Sequence, residues 1–292
     1  MSFDPIVYVN GTYSRASEAG LSVFDQGFLL GDGVFDVVSA WKGRIFKMDE
    51  HIERFFRSLQ AARLNVSLTK DDWRDIILEV CRRNDLQDAS IRFIVTRGVP
   101  KEVLADPRDF IPTIVVWAVP YIFLADEETR KNGIRLYITH LRGMSPDTLD
   151  PAFKSLDRLH FQLARLDALE AGYDDVIWLS RAGYVREGPA SNLFLVKNGA
   201  LITPGEEILP GITRATFIEL AEREGVPVRQ LNFTPFDLYN ADEVFTTSTA
   251  GGALAVREIM GRKISQAPGP VTTRLQDAYF RMREAGEYST DI

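Results

Sequence analysis

The chain opens with short apolar runs broken by turn dipeptides. Val7-Tyr8-Val9 and Thr12-Tyr13 flank Asn10-Gly11, a pair that tolerates the positive φ of a type I′ turn, so the pattern predicts a β-hairpin. Val34 to Trp41, Lys42-Gly43 and Arg44 to Phe46 repeat it. The period then changes. Ile52, Phe55, Phe56, Leu59 and Ala62 fall on one face of a helix that Asp49 can cap, and Thr69 and Asp72 open a second helix carrying Trp73, Ile76, Ile77 and Val80. Ile91 to Arg97 and Thr113 to Val119 read as buried strands.

Between Pro120 and Lys131 the apolar periodicity fades and charge rises, which marks a linker. Beyond it come a strand over 134–139 and a helix with Leu159, Leu163, Leu166 and Leu169 inward, stopped by Gly172. Short strands are expected at 175–179, 184–186, 193–197 and 200–203, the last two joined by Asn198-Gly199. A helix from Thr213 to Glu224, a strand at Glu243 to Phe245 and a closing helix from about Val271 complete the pattern. The division is therefore 1–119, a linker at 120–131, and 132–292.

Composition narrows the function classes. A net charge of −7 with no basic tract argues against nucleic acid. No apolar run has membrane-spanning length, and the N-terminus lacks the layout of a signal peptide. Cys81 is the only cysteine, which suits a reducing, cytoplasmic setting. The three histidines, His51, His140 and His160, show no paired ligand spacing, so no metal is expected.

Five features carry chemistry. Leu209-Pro-Gly-Ile-Thr-Arg214 runs into a helix, and the unpaired N–H groups at such a start suit a phosphate, with Thr213 adding a hydroxyl donor. Thr246-Thr-Ser-Thr-Ala-Gly-Gly252 offers a second cluster of donors. Glu187 ends a short strand, where a carboxylate can keep a pyridine nitrogen protonated. Lys154 is an amine able to form a Schiff base in apolar surroundings. Arg54 could clamp a phosphate from a helix. Each also suits a plain structural part: a Thr cap, a polar loop, a turn glutamate, a solvated lysine, a surface arginine. Their order decides.

That order resembles the fold-type IV pyridoxal-phosphate aminotransferases, which include branched-chain, D-amino-acid and (R)-selective amine enzymes. The matching segments are Gly31 to Asp36, His51 to Arg54, Thr96-Arg-Gly98, Lys154, Glu187 to Phe194, Leu209 to Arg214 and Thr249 to Gly252. The resemblance implies an α+β fold with a small α/β sandwich lobe and a larger α/β pseudo-barrel lobe. It implies that Lys154 holds the cofactor and shuttles the proton, that Glu187 pairs with the ring nitrogen, and that Leu209 packs on the ring. Arg54, Ile212, Thr213 and Thr249 would bind the phosphate. It also implies a homodimer whose loops near 98–110 complete the neighbouring site.

Substrate choice falls to Phe35, Val37 and Ser39, which alternate on one strand and share a face, with Arg92, Ala250 and Gly251. Leu159 stands where branched-chain enzymes usually carry a tyrosine, and Pro189 where the family has a small residue. The Phe35-x-Val37-x-Ser39 pattern looks closer to the (R)-amine enzymes. The expected reaction is a ping-pong transfer from an (R)-amine or D-amino acid to a 2-oxo acid, the cofactor cycling through pyridoxamine phosphate. A branched-chain L-amino-acid donor is the alternative, and a lyase resembling aminodeoxychorismate lyase a further one. Arg92 suits either the carboxylate of an oxo acid or a solvated strand face.

Overall fold

The computed structural model describes residues 3–102, 106–123 and 125–292. It divides into two compact units: Met1–Ile122 with Phe153–Arg158 and Ala285–Ile292, and Phe123–Ala152 with Leu159–Glu284. A contiguous cut at 120–131 misses both returns to the first unit. Each return is fixed by backbone pairing. Phe35 N–H donates to the Lys154 carbonyl at 3.0 Å and Leu156 N–H to the Gly33 carbonyl at 2.9 Å, while Ser289–Asp291 pairs with Arg44–Phe46.

In the first unit the elements are β1 (Ile6–Val9), β2 (Thr12–Arg15), α1 (Gln26–Leu30), β3 (Gly33–Trp41), β4 (Arg44–Phe46), α2 (Met48–Ala61), α3 (Lys70–Arg83), β5 (Ala89–Val99) and β6 (Ile111–Pro120). Asn10 and Gly11 both take positive φ, as the hairpin pattern requires. Thr69 caps α3 in a reciprocal box with Asp72. Asp49 does not cap α2: it lies inside the first turn, behind Lys47, and accepts instead from Arg74. Among the described residues the strands form one antiparallel sheet, running from Ser289–Asp291 through β4, β3, β5, β6 and β1 to β2. One face carries Val34, Val38, Ile91, Phe93, Val95 and Val116 against Ile52, Phe55, Trp73 and Ile77 of α2 and α3. The opposite face carries Phe35, Val37 and Arg92, because strand side chains alternate.

The second unit contains α4 (Glu127–Asn132), β7 (Ile134–Arg142), α5 (Leu159–Glu170), β8 (Asp175–Leu179), β9 (Asn192–Lys197), β10 (Ala200–Thr203), α6 (Ile212–Arg223), β11 (Val228–Gln230), α7 (Pro235–Tyr239), β12 (Glu243–Ser248), β13 (Gly252–Ile259), β14 (Arg262–Lys263) and α8 (Pro270–Glu284). Its mixed sheet runs β11-β10-β9-β12-β13-β7-β8, with β14 on β13. Part of the expected linker is thus helical, Asp126 accepting from Thr129 N–H as its cap. The expected strand at 184–186 is reduced to an isolated bridge between Val185 and Leu179.

α5 reverses the expected facing. Its small residues Ala164 and Ala168 are buried, whereas Leu159, Leu163, Leu166 and Leu169 are 68%, 47%, 52% and 49% exposed. Ala side chains let the helix pack closely on Val176, so the leucine stripe turns outward. Among the described residues no helix is long and apolar enough to cross a membrane.

Candidate active site

In the first unit, Lys154 lies on a short extended segment laid beside the start of β3, where Ser155 bridges Val34. Gly33 makes that approach possible, since a Cβ there would come within 2.7 Å of both a Leu156 side-chain carbon and the Val95 carbonyl. Ser58 of α2 grips the same segment by accepting the Lys154 N–H at 3.2 Å. Lys154 Nζ stands 4.8 Å from the Phe35 ring centroid. Val37 faces Arg92 across β3 and β5, and Arg92 faces Trp117 across β5 and β6. The guanidinium is flanked by the Phe35 and Trp117 rings at 5.1 and 5.3 Å. Its Nε is buried with no hydrogen-bond partner, and burial depresses its pKa. Arg92 as a whole is half-buried, with its Nε–H shielded from water. Phe35, Val37, Ser39, Arg92 and Lys154 are brought together in one unit.

Arg54 is buried rather than on the surface. From α2 its Nε and Nη2 donate to the two oxygens of Asp36 at 2.8 and 2.7 Å, and His51 Nδ1 lies 2.8 Å from the same carboxylate. Burial alone pushes the Asp36 carboxyl up, but Arg54 and His51 outweigh it and hold it well below the usual carboxylate range. Burial lowers the His51 pKa despite Asp36, so the ring favours its neutral form. A two-point carboxylate fork fixes the guanidinium plane, which single contacts would leave free to rotate.

The second unit carries Glu187, Leu209, Ile212 and Thr213 at and before the start of α6, and Thr249, Ala250 and Gly251 on the turn between β12 and β13. Glu187 is 6% exposed and both its oxygens accept from Leu209 N–H at 3.1 Å. The Asn192 carboxamide donates to Glu187 Oε2 at 2.9 Å and to the Leu209 carbonyl at 3.0 Å. One asparagine thus ties the glutamate to the turn before α6. Gly188 N–H donates to Ser191 O at 2.9 Å, so the turn containing Pro189 closes tightly. α6 starts at Ile212 after an extended Gly211 cap that supplies no side-chain hydrogen bond, leaving its first N–H groups open. Thr213 lies inside the helix rather than capping it. Ser58 and the α8 residues that back this region carry no sequence signal, because each acts through a partner remote in the chain, whereas Asn192 lies within the Glu187 to Phe194 segment and only its holding role comes from the structure.

A family model described as amino-transferase class IV matches residues 33–259. The chain belongs to the class IV aminotransferases. Relatives include a protein of Methanocaldococcus jannaschii assigned provisionally as a branched-chain-amino-acid aminotransferase, 41% identical over 95% of this chain and 96% of the relative. D-alanine aminotransferase of Staphylococcus haemolyticus is 32% identical over 96% and 98%. Among solved structures, a branched-chain amino acid aminotransferase with pyridoxamine 5′-phosphate from T.th. matches with a TM-score of 0.92 at 28% identity, covering 99% of both chains.

This class IV aminotransferase is a pyridoxal-phosphate enzyme with the expected fold-type IV, α+β architecture. Its residues fit that group. Beside the open helix start, Ser191 Oγ and Thr247 Oγ1 are buried without a hydrogen-bond partner. Ser191 adjoins Asn192, and Thr247 faces Asn192 in the β9–β12 register. Buried hydroxyls left unpaired cost free energy unless a ligand or water meets them.

Proposed function

We propose that this aminotransferase works on amino acids with apolar, branched side chains and exchanges their amino group with a 2-oxo acid whose carboxylate Arg92 recognises. The observation that carries this reading is the buried, partnerless Nε–H of Arg92 on the Phe35 and Val37 face. A buried guanidinium N–H is costly unless an anion takes it, and a carboxylate matches its geometry. Phe35, Val37 and Trp117 add apolar surface beside that cation. The relatives named as branched-chain enzymes support the same choice.

The proposed roles are those the family resemblance implies, supported for Lys154 and Glu187 by their surroundings. Bound pyridoxal phosphate supplies the electron sink that makes a Cα proton removable. Lys154 Nζ takes that proton and returns it, its backbone held by Ser58 and by pairing to β3. Glu187, already anchored on Leu209 and Asn192, keeps a proton on the ring nitrogen. Arg54, the N–H groups of Ile212 and Thr213, and Thr249 hold the phosphate, with Leu209 against the ring. Ala250 and Gly251 shape the substrate side.

Arg92→Met tests the reading. Loss of a hydrogen bond to a charged partner costs about 1.5–3 kcal/mol, roughly 10- to 150-fold in kcat/KM. With an amino-acid donor both half-reactions should fall by this factor. A donor half-reaction that is untouched sinks the reading. The second reading is an (R)-amine or D-amino-acid donor, favoured by the Phe35, Val37 and Ser39 face and by the D-alanine relative. Rapid decay of the cofactor band with (R)-1-phenylethylamine or D-alanine, but not L-leucine, would establish it. Pyruvate release without an acceptor would mark the lyase alternative.

For the assembly we infer a homodimer, supported by the exposed apolar side chains of Leu21, Val23, Phe24, Phe28, Leu29 and Leu30, 52–74% accessible, more than a lone soluble chain usually leaves contiguous. Light scattering at micromolar concentration decides it. The loop proposed to reach the neighbouring site includes 103–105, which lie outside the described residues.

A further inference from the structure

Helix α8 backs both donor clusters of the second unit. Gln276 clamps the 250–253 turn: its Nε2 donates to the Gly251 carbonyl at 2.9 Å, and its Oε1 accepts from Ala253 N–H at 2.6 Å. One helical turn on, Tyr279 is 1% exposed. Its ring packs on Phe217 with centroids 5.4 Å apart and closes against Gly252, where a Cβ would sit 2.8 Å from a ring carbon. Its hydroxyl is hydrogen-bonded to the side chains of Thr213 and Arg283. Tyr279 therefore touches the start of α6 through its hydroxyl and the glycine turn through its ring.

With a phosphate oxygen, which only accepts, in front of Thr213, the hydrogens in this chain run in one direction. Arginine has donors and no acceptor, so Tyr279 Oη accepts from Arg283. The phenol proton then goes to its other partner, Thr213 Oγ1. Burial pushes the phenol above its ordinary pKa, so that proton stays in place at working pH. Thr213, with its lone pair engaged from behind, keeps its own proton for a partner in front. As the second residue of α6 it has no carbonyl four residues back within the helix to receive that proton. In that arrangement Thr213 accepts from behind and donates in front.

We propose that Tyr279 and Arg283 are positioning residues that fix Thr213 as a hydrogen-bond donor to the cofactor phosphate. The proposal rests on the reading that the start of α6 binds that phosphate. Neither residue touches the ligand; both act through Thr213.

The test compares equilibrium binding of pyridoxal phosphate and of pyridoxal, which lacks the phosphate, to the full-length protein freed of cofactor. Tyr279→Phe keeps the ring packing and removes only the hydroxyl. It should weaken pyridoxal phosphate about 10-fold, the worth of one charge-assisted hydrogen bond, and leave pyridoxal within about twofold. An equal loss for both ligands, or no loss for the phosphate ester, overturns the proposal. If Tyr279→Phe does not fold, Arg283→Met should give the same phosphate-selective loss, and a loss shared by pyridoxal overturns it. Thr213→Val separates the two levels. If it shows no phosphate-selective loss, the reading of α6 itself fails. If it does and Tyr279→Phe does not, only the positioning role fails.

Discussion

Replacing Asp36 with Asn removes one charge from a cluster that has almost no access to water. Its side chain is 0% exposed and that of its partner Arg54 is 5% exposed. Asn keeps the volume but offers one acceptor oxygen where Arg54 now finds two, at 2.8 and 2.7 Å, and it turns an NH₂ toward a cation. Breaking one side of a buried pair costs about 3–5 kcal/mol, since the remaining charge stays buried. That is a large part of the roughly 5–15 kcal/mol by which domains are stable. Trp41, Trp73 and Trp117 belong to the first unit and Trp178 to the second, so tryptophan fluorescence in urea follows mainly the unit that carries the change.

The pH dependence has a definite sign. The folded pKa of Asp36 is depressed, because Arg54 and His51 outweigh the effect of burial. Its stabilisation is therefore complete above the unfolded carboxylate value of about 3.9 and is lost as pH falls below that toward the folded value. The gap between wild type and Asp36→Asn should narrow in acid, as pH falls below about 4. A gap under about 1 kcal/mol at neutral pH, the range of an exposed pair, would contradict the buried-pair estimate. So would a gap that does not narrow.

Two further outcomes are expected. Cys81 is 0% exposed and burial pushes its thiol up to about 12, so iodoacetamide should label it only after denaturation; labelling of the native protein at the rate of a free thiol contradicts the placement. Gly252→Ala meets Tyr279 and Gln276 at a φ of +75°, whereas Gly172 has a similar φ of +79° and nothing within 4 Å. Both variants pay about 1–2 kcal/mol for the left-handed backbone, so Gly252→Ala should melt clearly lower than Gly172→Ala. Equal melting temperatures would show that α8 does not press on that turn.

Sequence signals suffice where the physics is local. The Asn10-Gly11 turn takes the positive φ that its residues allow, and the Thr69–Asp72 cap needs only a four-residue window. What the sequence hides depends on distant partners. The α5 leucines have helical spacing, but nothing in that spacing says which face meets the sheet, and close packing chose Ala164 and Ala168. The return of Phe153–Arg158 to β3 needs Gly33, more than a hundred positions earlier. Val185 reads as part of a strand and finds only one bridge. At the site, the chemical types are legible from order and spacing, whereas the holders are not. Asp36 and Asn192 fall inside matching segments but show their holding roles only beside Arg54 and Glu187, and Tyr279 gains its place only because the fold sets it beside Thr213.

The proposed chemistry depends most on Lys154 as the amine that holds the cofactor. Borohydride treatment of the purified protein loaded with pyridoxal phosphate, followed by peptide mapping, probes that role without intermediaries. A single phosphopyridoxyl group on Lys154, and none on the Lys154→Ala protein, is the expected result. A group fixed on another lysine, or a Lys154→Ala protein that retains full turnover, would contradict it.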